Sequence, residues 1–262
     1  MYKARSPIQV SLHVWHALFM REASARISGD RLGWTWVFIE PLAHILLFVA
    51  LRQLMGRIQN VSGAEFIPWF IVGMTLFIMF NVVMNRCMGA ISASRALFAY
   101  RQLHPVDTIL VRAVLEMLIK LIVLILLVLG ASFLGYAIMP ADAIDAGFVC
   151  LSVWMLGIGF GLILSAVTTT VPELTKLVAI MSFPLYFLSG VMFPIQYMPH
   201  GLREYLLYNP ILHAVEAFRM GFFSHYQSVN GISMLYVWFF ALSLILFGLM
   251  LQIRWKNRLM AQ

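Results

Sequence analysis

Residues 121–139, LIVLILLVLGASFLGYAIM, carry no charged side chain. A helix needs about 20 such residues to cross the hydrocarbon core of a bilayer. Five further stretches are mostly apolar and read as spans as well, at 34–55, 66–85, 147–167, 177–192 and 232–253. A spanning helix satisfies its own backbone hydrogen bonds where no water can do so. The fold class expected is therefore an all-α integral membrane protein with six transmembrane helices. Composition agrees, at 62% hydrophobic and 11% charged residues. A soluble domain is nearer half apolar and a quarter charged. No polar stretch approaches the ~50 residues of a separate soluble domain. Residues 1–262 read as one transmembrane domain.

The net charge of +7 invites a nucleic-acid reading. The placement of the cations argues against it, because they sit at the ends of the apolar stretches. Lys3, Arg5, Arg21, Arg26 and Arg31 precede the first stretch, and Arg95 and Arg101 follow the second. Lys176 precedes the fifth, and Arg254, Lys256 and Arg258 follow the sixth. The alternate connections hold few cations. The positive-inside rule then puts both termini in the cytoplasm. No continuous apolar core interrupts residues 1–31, so no cleavable leader is expected. Cys87 and Cys150 fall in separate stretches and form no disulfide or metal pattern.

Between the spans lie four informative segments. Residues 8–26 place Ile8, Leu12, Trp15 and Phe19 on one helical face. This reads as an amphipathic helix in the interface plane, with packing on protein as the alternative. Glu40-Pro41 should kink the first span or mark where it starts. Residues 94–103 read as a short basic helix ending before Pro105. Arg112, Glu116 and Lys120 are four residues apart and read as an attracting ladder along one helix. Gly157, Gly159 and Gly161 would let a neighbouring helix approach closely.

The fourth segment, 194–226, is aromatic, apolar and broken by Pro194, Pro199, Gly201 and Pro210. Broken backbone at membrane depth is tolerated only in protein or beside a wet cavity. It reads as outer re-entrant helices between spans five and six, beside a crossing path.

Several chemistries are missing. No lysine follows a glycine, which removes the Walker-type phosphate loop. No His-Glu-x-x-His or Gly-x-Ser-x-Gly stretch occurs. His44, His200, His213 and His225 read as interface or packing residues. The middles of the spans are nearly free of charge, whereas ion-coupled carriers need ionisable groups there. Energy for uphill movement should come from another polypeptide. A membrane-embedded transferase would need a carboxylate pair or basic cluster that the sequence does not offer.

Two motifs carry a resemblance. RLGWTWVFIEP at 31–41 resembles the entry to the first span of type-2 ABC transporter permeases. FPLYFLSGVMFPIQYMP, followed by YNPILHAVEAFR from Tyr208, resembles the inner-membrane permease of capsular polysaccharide exporters. The resemblance covers essentially the whole chain. O-antigen, drug and lipid exporters share the fold and are the alternatives.

The resemblance implies two permease copies and two copies of a separate ATP-binding subunit, which would hold ATP and magnesium. Residues 94–103 would be the coupling helix, with Arg95, Phe98, Tyr100 and Arg101 toward that subunit. A periplasmic co-polymerase and an outer-membrane channel would complete the route from the bacterial inner membrane. The cargo would be an acidic, lipid-linked polysaccharide. Sugar rings stack on aromatics, so Trp69, Phe70, Phe77, Tyr186 and Phe187 are candidate path residues. Arg31 and Arg86 are candidate cations at the cytoplasmic mouth. The outer re-entrant segment contributes Pro194, Tyr197, Pro199, Tyr208 and Pro210. The plainer reading of each aromatic is packing or lipid contact, and of each arginine, topology. No metal site or catalytic residue is expected on this chain.

Overall fold

A computed structural model describes residues 7–28, 33–54, 60–99 and 103–261. The chain opens with α1 (Pro7–Ser28) and α2 (Gly33–Leu54). α2 runs through Pro41 unbroken, so the first apolar helix begins before the proline and not at it. Two short antiparallel strands, β1 (Asn60–Val61) and β2 (Ala64–Glu65), form a hairpin leading into α3 (Phe66–Met88). Then come α4 (Ala90–Ala93) and a single 3-10 turn, Arg95–Ala99.

The long helix α5 (Pro105–Phe133) starts where Pro105 needs no backbone donor. The Asp107 carboxylate accepts from the His104 backbone N–H at 2.9 Å, closing that end. The helix stops six residues short of the expected 139. Gly135 takes φ +90°, and the Tyr136 N–H turns back to the Ala131 carbonyl at 3.1 Å. Left-handed backbone of this kind ends helices.

Asp142 opens α6 (Ala143–Thr170) by accepting from the Ile144 and Asp145 N–H groups, each at 3.0 Å. After the turn at Pro172 comes α7 (Leu174–Leu188), which ends at Gly190, φ +66°. α8 (His200–Leu206) and α9 (Pro210–Phe222) are short, and α10 (Met234–Arg254) and α11 (Lys256–Ala261) finish the chain. Among the described residues, α3, α5, α6 and α10 are long and apolar enough to cross a membrane.

α6 is the axis of the packing, clasped between α3 and α10. Its glycines make that possible. A Cβ on Gly157 would lie 3.0 Å from Val83 of α3, and one on Gly161 would collide with the Cys87 Cβ. On the opposite side, a Cβ on Gly159 would lie 2.7 Å from Leu244 of α10. The spacing expected to allow close approach therefore serves two neighbours at once. Outward faces stay apolar: Leu118, Ile122 and Ile125 on α5, and Phe239, Leu242 and Leu246 on α10, are exposed. Their three-to-four residue spacing is that of a lipid-facing stripe.

Candidate functional site

Two polar networks sit toward the two ends of α3. Trp69 and Arg86 lie about 25 Å apart along it, at 1.5 Å rise per residue.

The first network gathers on α9. Asn209 caps this helix by accepting from the Ile211 N–H at 3.0 Å, and Pro210 takes the first position. Every residue from Pro210 to Phe222 except Met220 is buried. Glu216 and Arg219, one turn apart, are both fully buried and pair at 2.8 Å. The guanidinium also donates to the carbonyls of Gly190 at 2.9 Å, Val191 at 3.1 Å and Trp69 at 3.4 Å. It lies 3.5 Å from the centre of the Trp69 ring. Gly73 leaves the room, since a Cβ there would strike the guanidinium.

The Glu216 carboxylate accepts from the Tyr226 hydroxyl at 3.0 Å and from Ser228 at 2.7 Å. Trp69 Nε1 and Gln196 Nε2 each donate to Tyr226. Burial pushes the Tyr226 phenol above its ordinary range, the Glu216 charge adding to it and the Arg219 charge opposing it. The hydroxyl therefore stays a donor at neutral pH. This network ties α9 to α3, to the end of α7 and to the 195–197 turn. Its charges are satisfied on every side, as a buried pair requires.

His213 belongs to the same scaffold. Its Nδ1 accepts from the Ser233 N–H at 3.0 Å, so Nε2 donates to the Leu207 carbonyl at 2.7 Å. It packs and holds the segment, as a packing histidine should.

The second network lies where α1, α3 and α5 meet. Glu22 pairs with Arg21 at 2.6 Å and with Arg112 at 3.0 Å. Glu116 pairs with Arg86 at 3.3 Å and with Arg26 at 3.5 Å. The expected ladder along α5 is thus corrected. Arg112 and Glu116 turn to different helices, because partners on α1 and α3 approach them in the partly buried contact. Burial works against the Glu22 carboxylate, but the hydrogen bonds and charges of Arg112 and Arg21 hold its carboxyl below the usual range. Arg112 also donates to the Gly89 carbonyl at 3.2 Å, and Arg21 to the Ser94 hydroxyl at 3.1 Å. Trp15 donates to Asp107 at 2.9 Å. α1 therefore packs on protein through Leu18 while Leu12, Trp15 and Met20 stay exposed.

The expected path residues separate. Trp69, Phe70 and Phe77 are buried in the core and have little or no surface of their own to offer. Phe77 nonetheless meets Tyr186 edge-on, 5.2 Å between ring centres, and Tyr186 meets Phe187 at 5.7 Å. Phe187 continues to Phe183 and Phe193. The Tyr186 hydroxyl is buried and has no hydrogen-bond partner among the described residues. Arg86 is half-exposed in the second network. Arg31 lies outside the described residues.

Of the expected coupling residues, Arg95 is exposed on the 3-10 turn. Phe98 is the correction. It is 7% exposed and packs with Cys87, Ile91 and Ile109, so it anchors the turn to its own chain. A large apolar ring beside that core gains more by burial than by waiting for a partner. Tyr100 and Arg101 lie outside the described residues. In the 194–226 segment Pro194 and Pro210 are buried, Pro199 precedes α8, and Tyr197 and Tyr208 are exposed.

The chain is thus a mostly helical membrane protein with one fully buried and one partly buried ion-pair network. The profile of the ABC-2 type transporter family covers residues 13–223. The chain belongs to that family. It is 36% identical over 249 residues to the polysialic acid transport protein KpsM of Escherichia coli, covering 95% of each chain. It is 30% identical over 207 residues to the capsule polysaccharide export inner-membrane protein CtrC of Neisseria meningitidis, covering 79% of this chain and 78% of the other. BexB of Haemophilus influenzae, a capsule polysaccharide export inner-membrane protein, is 28% identical over 234 residues, covering 86% of each.

Proposed function

We propose that this chain is the transmembrane subunit of an ATP-driven exporter of lipid-anchored capsular polysaccharide in the bacterial inner membrane. The polysaccharide-export roles of its relatives support the cargo class. The observation that carries the reading is α7. None of its side chains is buried within the chain, yet it bears the aromatic group Phe183, Tyr186 and Phe187. An apolar helix with aromatic rings and no buried residue of its own is suited to a second permease copy and to a sugar path beside it.

In this reading α2, α3, α5, α6, α7 and α10 are the six spans, and α8 and α9 form the outer re-entrant segment. Both termini are cytoplasmic. ATP and magnesium act on a separate ATP-binding subunit, which meets the chain at α4 and the 3-10 turn, with Arg95 toward it. A push there reaches α5 through Arg112 and Gly89, and α1 through Arg21 and Ser94. At the outer end, the Arg219 network holds α9, α3 and the end of α7 as one body. Rigid coupling of this kind converts a local push into a shift of whole helices. A co-polymerase and an outer-membrane channel receive the polymer beyond the membrane.

Deletion of the gene tests the reading. Surface capsule should vanish while polymer accumulates inside the cell. A normal capsule on the deletion strain would overturn it.

A further inference from the structure

The α1–α3–α5 network is not charge-balanced. Among the side chains that the structure describes, Arg21, Arg26, Arg86 and Arg112 form ion pairs with Glu22 and Glu116 alone, so the cations in these pairs outnumber the carboxylates by two. Two guanidiniums share one oxygen of Glu116, a residue whose side chain is 4% exposed. Donors are in surplus as well. Among the described residues, Arg26 Nε and Arg112 Nε are buried with no acceptor, against one unmet acceptor, Glu116 Oε2. A network built only to fasten helices would gain by neutrality, because partly buried cations without counter-charge are costly. The cluster also reaches the surface. Arg86 is 45% exposed and Arg21 is 37% exposed at the side chain. It adjoins the helix whose Leu12, Trp15 and Met20 are exposed, the face that reads as lying in the membrane surface.

We propose that this arginine cluster binds the phosphate of a membrane lipid. A guanidinium fork matches phosphate oxygens in pairs, and the surplus charge supplies the attraction. Seating the phosphate against Arg86 and Arg26, which meet at the same Glu116 oxygen, would bring α3 and α1 under one anion, with the acyl chains running along the apolar sides of the helices. The phosphate could belong to an anionic phospholipid of the bilayer or to the lipid end of the exported polymer. The second source rests on the export reading above; the first does not.

The test uses the permease purified with its ATP-binding subunit and native mass spectrometry. Dioleoyl phosphatidylglycerol and dioleoyl phosphatidylcholine are offered at equal concentration. Wild type should retain the anionic lipid about fivefold more, on the scale of one juxtamembrane basic residue. Arg86→Gln should bring the two lipids near parity, and Arg254→Gln should leave the preference intact. Arg86→Lys keeps the charge without the fork and should fall between, which separates loss of the site from loss of folding. Equal retention by wild type and Arg86→Gln, or no preference in wild type, overturns the proposal.

Lipid-linked polymer from capsulated cells is then added, in parallel with polymer whose lipid end has been hydrolysed. Displacement of phosphatidylglycerol by the linked form alone assigns the site to the cargo. No displacement by either assigns it to a bilayer lipid. Displacement by both forms would mean that the sugar chain binds there, against the proposal. A chain that holds phosphatidylglycerol through Arg86 but exports no capsule would overturn the export reading and leave the site standing.

Discussion

Arg219→Met should be among the most damaging single substitutions on this chain. The arginine is fully buried and meets four acceptors and one aromatic face. Methionine fills much of the same volume, so the cavity term is small. What remains is Glu216, a fully buried carboxylate without its counter-charge. Breaking one side of a buried pair costs about 3–5 kcal/mol, roughly a hundredfold or more in the folded-to-unfolded ratio. Tyr226 and Ser228 still donate to Glu216, which places the expected loss near the lower end, about 3 kcal/mol. Adding Glu216→Gln should recover part of that loss, because the second change removes the orphaned charge. The assay is reversible unfolding in mixed detergent micelles, run as a double-mutant cycle. A single-mutant loss below about 1 kcal/mol, or a double mutant no better than the sum of the singles, would refute the argument that the pair is a buried, mutually required lock.

Gly73→Ala should damage the same lock from the other helix, since its Cβ would strike the Arg219 guanidinium; a melting series should show a loss of about 1–3 kcal/mol. Tyr226→Phe removes a donor to Glu216 and an acceptor for Trp69 and Gln196, and the same unfolding assay should show about 1–3 kcal/mol lost. Glu22 has its carboxyl held below the ordinary 4.5 in the folded chain, first against burial and then through Arg112 and Arg21. Its contribution is therefore fully present above that ordinary value and is lost as pH falls through the folded one. Glu22→Gln should flatten the acid side of a stability–pH curve relative to wild type, leaving the arm above pH ~6 parallel. Phe98→Ala empties a buried site and should lower stability by about 3–5 kcal/mol; a variant of wild-type stability would return Phe98 to the surface.

Much of the helical plan was legible because lipid leaves a chain few options. Apolar runs and the glycines of α6 each carry their meaning locally. Helix ends were less legible. α5 stops at Phe133 because Gly135 adopts left-handed backbone, while the hydropathy runs on to 139. Side-chain partners across helices were least legible. Arg112 and Glu116 have the spacing of an in-helix pair, but their partners on α1 and α3 lie 90 residues or more upstream or some thirty residues away in the chain. Glu216 and Arg219 did offer a signal: two opposite charges one turn apart in a stretch otherwise apolar. Phe98 looked like a docking residue because it sits among basic residues, and only the position of Cys87 and Ile109 reveals its burial. Trp69 and Phe70 were legible as large aromatics, but not as residues enclosed on all sides.

The most direct test of the central claim is co-purification. The chain would be tagged after Gln262, extracted gently and weighed with whatever accompanies it. The account predicts a small ATP-binding subunit in one-to-one ratio, whose hydrolysis responds to capsular polymer. A chain that purifies alone and moves polymer alone would contradict it.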